Sequence, residues 1–317
     1  MQPTQHTLPT PYPVGPVHCY RIEINGEPIL FDTGPPTEET KQYLKKHIAL
    51  PRLQHVLITH CHIDHYGLAA WLEQKYGCTI YLPYRDSLKI DNHSKRLDGM
   101  LKVLKEVGFE KQFLAEFRAD MDNDSVFPEF PKDYKIAEQE LPAELDIETL
   151  ACPGHSQSDL VYVGNDWAVT GDTMLREIFQ SPLLDIDLLT GKRFRNYDAY
   201  CQTITKLASL RDRTILPGHR EFIHGVDYNI CYYTGKLLER ARRSRQFPLE
   251  MSPPEVVEKL FGESLQDPFL KYLKVSEIVF IRDFLAAPDK LKVSLEQIGL
   301  YQQLAETFEQ AILDPPR

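Results

Sequence analysis

The segment His60-Cys61-His62-Ile63-Asp64-His65 constrains the fold of this 317-residue chain more than any other. Three imidazoles and a carboxylate within six positions follow an apolar run, Val56 to Thr59, that reads as a strand. Each of these groups is costly to bury without a partner, and packing does not explain all four in one loop. A metal removes the difficulty, because neutral imidazole nitrogens and a carboxylate oxygen suit zinc. At an extended strand end His60 and His62 point to one side and Cys61 to the other, so Cys61 reads as a packed thiol. One such cluster cannot complete a two-metal site, so further ligands are expected at later strand ends. Pro153-Gly154-His155 follows Cys152, Gly171-Asp172-Thr173 follows Thr170, and Pro217-Gly218-His219 follows Leu216. A glycine precedes each of His155, Asp172 and His219, where it is expected to permit the turn that aims a ligand inward.

The remaining pattern is α/β. Val17 to Ile24 and Pro28 to Asp32 read as strands joined by Asn25-Gly26, the strongest short hairpin signal. Thr79 to Leu82, Ile147 to Cys152, Leu160 to Val163, Trp167 to Thr170 and Thr214 to Leu216 are further strands, with helices at Leu68 to Tyr76 and Tyr197 to Leu210. Between Ser94 and Arg118, Leu97, Leu101, Leu104, Phe113, Leu114 and Phe117 recur at helical spacing, with Gly108 as a break. This predicts a helical insertion spanning about 84–134, read as a packing face and alternatively as a lid. Beyond Tyr228 the chain reads as helical. Ser252-Pro253-Pro254-Glu255 is a capping box, and Ser294 with Gln297 repeats that pattern ahead of the last helix.

The ordered set H-x-H-x-D-H at 60–65, then His155, Asp172 and His219, resembles the metallo-β-lactamase superfamily. Phe31-Asp32-Thr33-Gly34 resembles its early D-T-G turn. The start Pro9-Thr10-Pro11-Tyr12-Pro13-Val14-Gly15-Pro16 is similar to one sort of glyoxalase II-like hydrolase. The resemblance spans roughly residues 7–225 and implies a four-layer αββα sandwich; with the helical reading beyond Tyr228, this gives a catalytic domain over 1–228 and a small helical region over 229–317. It implies two divalent metal ions, zinc first, with iron or manganese tolerated. His60, His62 and His155 would hold one ion, and Asp64, His65 and His219 the other. Asp172 would bridge them, and Asp32 would orient the ligand loop from behind. Two metals about 3.5–4 Å apart share a hydroxide whose parent water has a pKa near roughly 7. That hydroxide would cleave a thioester, lactone or ester of a small acyl substrate, with Asp64 orienting it or carrying a proton to the leaving group.

Three positions depart from the commoner family pattern: Leu68, Ser158-Asp159 and Arg220 stand where glycine is frequent. His62 with Asp64 resembles the hydrolases rather than the flavodiiron branch, and a bridging Asp172 is unlike the true β-lactamases. Tyr66 is a candidate substrate contact, with plain packing as its alternative. The other histidines, His6, His18, His47, His55, His93 and His224, read as surface or satisfied core positions.

Lys and Arg number 36 against 46 Asp and Glu, a net charge of −10, which argues against gripping nucleic acid or an anionic membrane by bulk charge. No basic, apolar leader and no run of ~18 apolar residues is seen, and six cysteines lack any C-x-x-C pair. A cytoplasmic protein with reduced thiols and no membrane partner is expected. Two alternatives stay open. Arg240, Arg242, Arg243 and Arg245 read as a solvated helix face or, with a C-terminal region loosely similar to the winged-helix tail of β-lactamase-like ribonucleases, would suit a phosphodiesterase or endoribonuclease acting on RNA or nucleotides. A metal-stabilised sensor or partner-binding protein would use the fold without turnover. Ile278, Val279, Ile281, Phe284 and Leu285 would either pack on the catalytic domain or form a homodimer contact.

Overall fold

Asn25 and Gly26 take the positive φ values, 53° and 82°, that a two-residue hairpin turn needs. They join β2 (Val17–Ile24) to β3 (Glu27–Phe31). The computed structural model describes residues 2–12, 14–121, 127–223, 225–262, 265 and 267–313. His224, Pro13 of the proline-rich start and 122–126 of the insertion lie outside them.

Two mixed sheets form the centre. The first has the order β1 (Thr4–Leu8), β2, β3, β4 (His55–Leu57), β5 (Thr79–Leu82), β6 (Tyr134–Ile136), antiparallel as far as β3 and parallel beyond. The second has the order β12 (Thr214–Pro217), β9 (Trp167–Gly171), β8 (Leu160–Val163), β7 (Glu148–Ala151). A short ribbon, β10 (Ile186–Asp187) with β11 (Lys192–Arg193), stands apart. Strand β1 escapes the sequence reading because Thr4-Gln5-His6-Thr7 has no apolar run; it is an edge strand held by its pairing to β2.

Alternation of side chains makes the four layers. Tyr20, Ile29, Phe31, Leu57 and Tyr81 of the first sheet meet Tyr162, Trp167, Val169 and Leu216 of the second in one inner cluster. Their neighbours Cys19, Leu30, Val56 and Ile80 face outward into a cluster with Leu44 and Leu72, on the helices Glu38–His47 and Ala69–Tyr76. Val161, Ala168 and Ile215 face the other way, under the helices Asn196–Leu207 and Val226–Ser244.

That second outer cluster also takes in the insertion and the C-terminal helices. The insertion forms helices His93–Glu106 and Lys111–Met121 around Gly108, whose φ is 106°. Leu97, Leu104 and Phe117 are buried, and Phe117 meets Tyr272 of the helix Pro268–Ala286 at 5.3 Å between ring centres. The apolar stripe is therefore a packing face.

Four expectations for the C-terminal region change. Ser294 lies inside the helix Pro288–Gln297 and donates back to the Lys290 carbonyl; the last helix starts at Tyr301, so Ser294 and Gln297 do not cap it. Ile278, Val279, Ile281 and Phe284 are buried in the chain's own core and Leu285 packs against it, which removes the basis for a dimer contact there. The arginine run does not form one patch. Arg240 pairs with Glu277 and lies over Phe179, Arg243 pairs with Glu239, and Arg245 donates to the Ala311 carbonyl. Among the described residues no strand follows Pro217, so the tail has no wing of the ribonuclease kind. The Ser252 capping box forms as expected.

Candidate metal centre

The parallel strands β3 and β4 end at the same sheet edge, and β9 and β12 end beside them on the other sheet. Asp32 follows β3, His60 to His65 follow β4, Asp172 follows β9 and His219 follows β12, so chain ends from both layers deliver their side chains to one place. His155 arrives from the loop between β7 and β8.

Three groupings of possible ligand atoms result: His60, His62 and His155; Asp64, His65 and His219; and His60, His65 and Asp172. His60 Nε2 lies 2.8 Å from His62 Nδ1, and His155 Nε2 lies 3.1 Å from the same atom. In the other half, His219 Nε2 is 3.3 Å from Asp64 Oδ2. Asp172 reaches both halves. Its Oδ1 is 3.5 Å from His65 Nε2 and 3.6 Å from His219 Nε2, and its Oδ2 is 3.8 Å from His155 Nε2.

Each Nε2 has its ring fixed from behind. His155 Nδ1–H donates to the Ser181 carbonyl at 2.8 Å, and His219 Nδ1–H to the Pro16 carbonyl at 2.8 Å. His65 Nδ1–H donates to Asp32 Oδ2 at 2.8 Å. Thr59 spends its hydroxyl proton on Asp32 at 2.8 Å, and so accepts from His60 Nδ1–H at 3.1 Å. Holding Nδ1–H in this way leaves the Nε2 lone pair free to point inward.

A divalent metal fits these residues. His60 and His155 both aim lone pairs at His62 Nδ1, which has at most one proton to share between them; a cation at the centre satisfies all three. Tetrahedral zinc with nitrogen bonds of about 2.0–2.1 Å would set such nitrogens roughly 3.3 Å apart. In the other half His65 Nε2, His219 Nε2 and Asp172 Oδ1 are buried without any hydrogen-bond partner. Unsatisfied buried polar atoms are rare in native proteins and call for an ion or water.

Electrostatics agree for His60 and His62. Burial first, then His155, pushes His62 down to about 3, and burial with His65 and His62 pushes His60 well below its ordinary value. Both are thus neutral and able to ligate. Burial opposes the charged form of Asp172, but His219 and His65 outweigh it and hold the carboxyl well below its usual range. Burial likewise opposes charge on His65 and His219, yet the carboxylates around them, Asp32, Asp172 and Asp64 for His65 and Asp172 and Asp64 for His219, raise both above the ordinary value, so in the metal-free protein these rings hold a proton that a bound ion would displace.

The glycines differ in role. Gly171 has a φ of 48°, and a Cβ on Gly218 would stand 2.7 Å from both Asp172 Oδ1 and His65 Cε1. Gly154 needs neither freedom: a Cβ there would make ordinary 3.7 Å contacts with Tyr200. The expectation of a required turn glycine before His155 does not hold. Arg220, where glycine is frequent, does adopt a φ of 68°, with its carbonyl 2.5 Å from His18 Nε2.

Residues 12–219 match the metallo-beta-lactamase superfamily. The chain belongs to this superfamily. Among curated relatives, the probable metallo-hydrolase YqjP of Bacillus subtilis (strain 168) is 24% identical over 308 residues, 90% of this chain and 92% of that one. A hydroxyacylglutathione hydrolase of Thiobacillus denitrificans is 26% identical over 238 residues, 74% of either chain. A metallo-beta-lactamase family protein of Thermus thermophilus superposes with a TM-score of 0.70 at 19% identity, covering 90% of this chain and 94% of the other, which shows the shared fold.

Against the superfamily pattern, all seven expected ligand residues converge, and Asp32 sits behind Thr59 and His65. Cys61 turns away: its sulfur packs in the outer core, and its N–H donates to Asp86 Oδ2 at 2.7 Å. Tyr66 turns away as well. It is 1% exposed, stacks on Phe130 at 4.6 Å, and donates its hydroxyl to the Pro128 carbonyl, which is the arrangement of its packing alternative. His18 and His55 are satisfied core residues, while His47 and His93 are exposed.

Sequence reading missed Thr59, the carbonyls of Pro16 and Ser181, and Asp86. The backbone groups carry no sequence signal. Asp86 had one: it follows the end of β5, the same edge that delivers Asp32 and His60.

Proposed function

We propose that this metallo-β-lactamase superfamily member, a metal-dependent hydrolase, is dinuclear and cleaves an acyl bond in a small thioester, lactone or ester. One observation carries the reading: the Asp172 carboxylate lies between two triads, with Oδ1 toward His65 and His219 and Oδ2 toward His155. His60, His62 and His155 would hold one divalent ion and Asp64, His65 and His219 the other, with zinc the first candidate. When bound, the ions supply an acidified water at neutral pH and a Lewis acid for a carbonyl oxygen.

The chain's own groups do the rest. His60, His155, His65 and His219 present Nε2 because their Nδ1 protons are committed elsewhere. Burial, the largest influence on Asp64, would raise its pKa, but the neighbouring His65 and His219 hold it below the ordinary value, so it is an ionised acceptor at neutral pH. Asp64, 3.3 Å from His219 Nε2, would hold a proton on its way to the leaving group. His62 and His155 keep more exposure than His60, His65 and His219, which supports substrate access from their side and weighs against a purely non-catalytic role.

Dispersal of the arginine run leaves the RNA reading without an observation in its favour. All six cysteines are free thiols, and no helix among the described residues is long and apolar enough to cross a membrane, which supports a cytoplasmic placement.

The test is to strip the purified protein of metal, reload it with zinc, and assay thioester, lactone and ester panels. The relative's name makes hydroxyacylglutathione the first compound. Hydrolysis that needs about two zinc equivalents and is lost in Asp172→Asn is the expected result. Silence across all panels in fully loaded protein would overturn the reading.

A further inference from the structure

Asp86 lies in the first turn of the helix Tyr84–Asp91, at the start of the insertion, and is 1% exposed. Its two oxygens hold two different segments of the metal centre. Oδ2 accepts the Cys61 N–H at 2.7 Å, and Oδ1 accepts the Ser158 hydroxyl at 2.8 Å. Cys61 is the peptide between His60 and His62, and Ser158 belongs to the loop that carries His155. Lys89 Nζ, 2.7 Å from Oδ1 and 3.3 Å from Ser158 Oγ, balances the buried charge.

Asp32 does the matching work for the other half, accepting from the Thr59 N–H, the Thr59 hydroxyl and His65 Nδ1–H. Neither the Cys61 peptide nor the Ser158 side chain can shift without giving up a bond to a buried carboxylate, at a cost well above that of a surface contact. Ser158 is one of the two residues standing where glycine is usual, and a glycine there would have no hydroxyl to offer Asp86.

We propose that Asp86 is a positioning residue for the His60–His62–His155 triad: through Cys61 and Ser158 it sets the separation of the two loops and ties that ion's affinity to the helical insertion. The inference rests on the dinuclear reading.

Zinc or cobalt(II) titration of metal-stripped full-length protein, followed by calorimetry and by the cobalt absorption bands, tests it. His62→Ala and His219→Ala identify which binding step belongs to which triad. Asp86→Asn and Ser158→Ala should each weaken the His62 step about 10–100-fold, the range for partners that orient metal ligands, and leave the His219 step unchanged. A merely structural role would lower the melting temperature and leave both steps and the cobalt bands as in wild type. That result, in variants with native circular dichroism, overturns the proposal; if Asp86→Asn does not fold, Ser158→Ala decides alone. A wild-type protein that binds fewer than two ions defeats the dinuclear reading and this inference with it. Two ions in wild type with unaltered variants defeats only this inference.

Discussion

At the scale of single residues, the metal centre is built so tightly that one methyl group matters. A Cβ on Gly218 would stand 2.7 Å from Asp172 Oδ1, so either that carboxylate or the chain must move. Gly218→Ala is expected to cost about 1–3 kcal/mol of stability, as overpacking does, and to lower the bound metal per chain. Thermal melting together with metal analysis checks both, and unchanged values in each would contradict the packing argument. Asp32→Asn preserves shape but leaves His65 Nδ1–H with a weaker acceptor. Metal affinity at the Asp64–His65–His219 triad should fall about 10–100-fold, measured by titration against a chelator of known affinity. The ligands themselves were legible because histidine and aspartate at strand ends are hard to explain otherwise. Tyr66 was not, because a tyrosine after a ligand reads the same whether its ring faces the site or stacks on Phe130. Gly154 misled for the opposite reason: glycine signals freedom that this position does not use.

At the scale of elements, the loop from His155 to Asp159 is a polar structure of its own. Asp159 accepts from the Ser156 N–H at 2.8 Å and the Ser156 hydroxyl at 2.6 Å. Gln157 donates to Asp185 Oδ2 at 2.9 Å, and Arg96 of the insertion grips the same carboxylate. Burial, more than these bonds or His155 can offset, raises Asp159 from 3.8 to about 6. A raised folded-state pKa gives stability that is full below the unfolded value and lost as pH rises through the folded one. The metal-free protein should therefore lose roughly 3 kcal/mol from this group between about pH 4 and pH 7. Asp159→Asn should flatten that part of the profile in urea unfolding; parallel profiles for the two proteins would sink the assignment. Strands and helices were largely legible, since period-two and period-three-or-four patterns survive folding. The Ser294 cap was not, because Ser-x-x-Gln within a continuing helix has the same letters as one at its start, and only the later break at Gly299, with a φ of 76°, tells them apart. The arginine run failed as a patch because helical rotation sends neighbours in sequence to different faces.

At the scale of the whole molecule, the catalytic sandwich and the helical region share one core. Val161, Ala168 and Ile215 lie in the same cluster as Leu237, Phe280 and Phe308. A fragment ending at 225 is expected to be insoluble or to lack a cooperative melt, checked by expression with and without the remaining helices; a stable, cooperatively melting fragment would support a boundary near 228. The ligands come from both sheets, so the native chain binds metal and the unfolded chain holds no formed site. Chelation should lower the melting temperature, and at free metal of about a hundred times Kd the linkage is worth about 2.7 kcal/mol. The division into layers could be foreseen only through the family pattern, because no local signal says which strands share a sheet. The sheets meet through a filling of rings: Phe31 lies 5.6 Å from Tyr162 and 5.4 Å from Trp167. Tyr20 and Tyr162 rivet the layers by donating to the Pro217 and Ile58 carbonyls. The thickness of that filling thus bears on each half of the centre, because each draws its ligand residues from loops of both sheets. A shim of aromatic rings sets the tolerance of the joint, and each half of the centre will register a change of volume at Phe31 or Trp167 as a change in the reach between the side chains it draws from the two sheets.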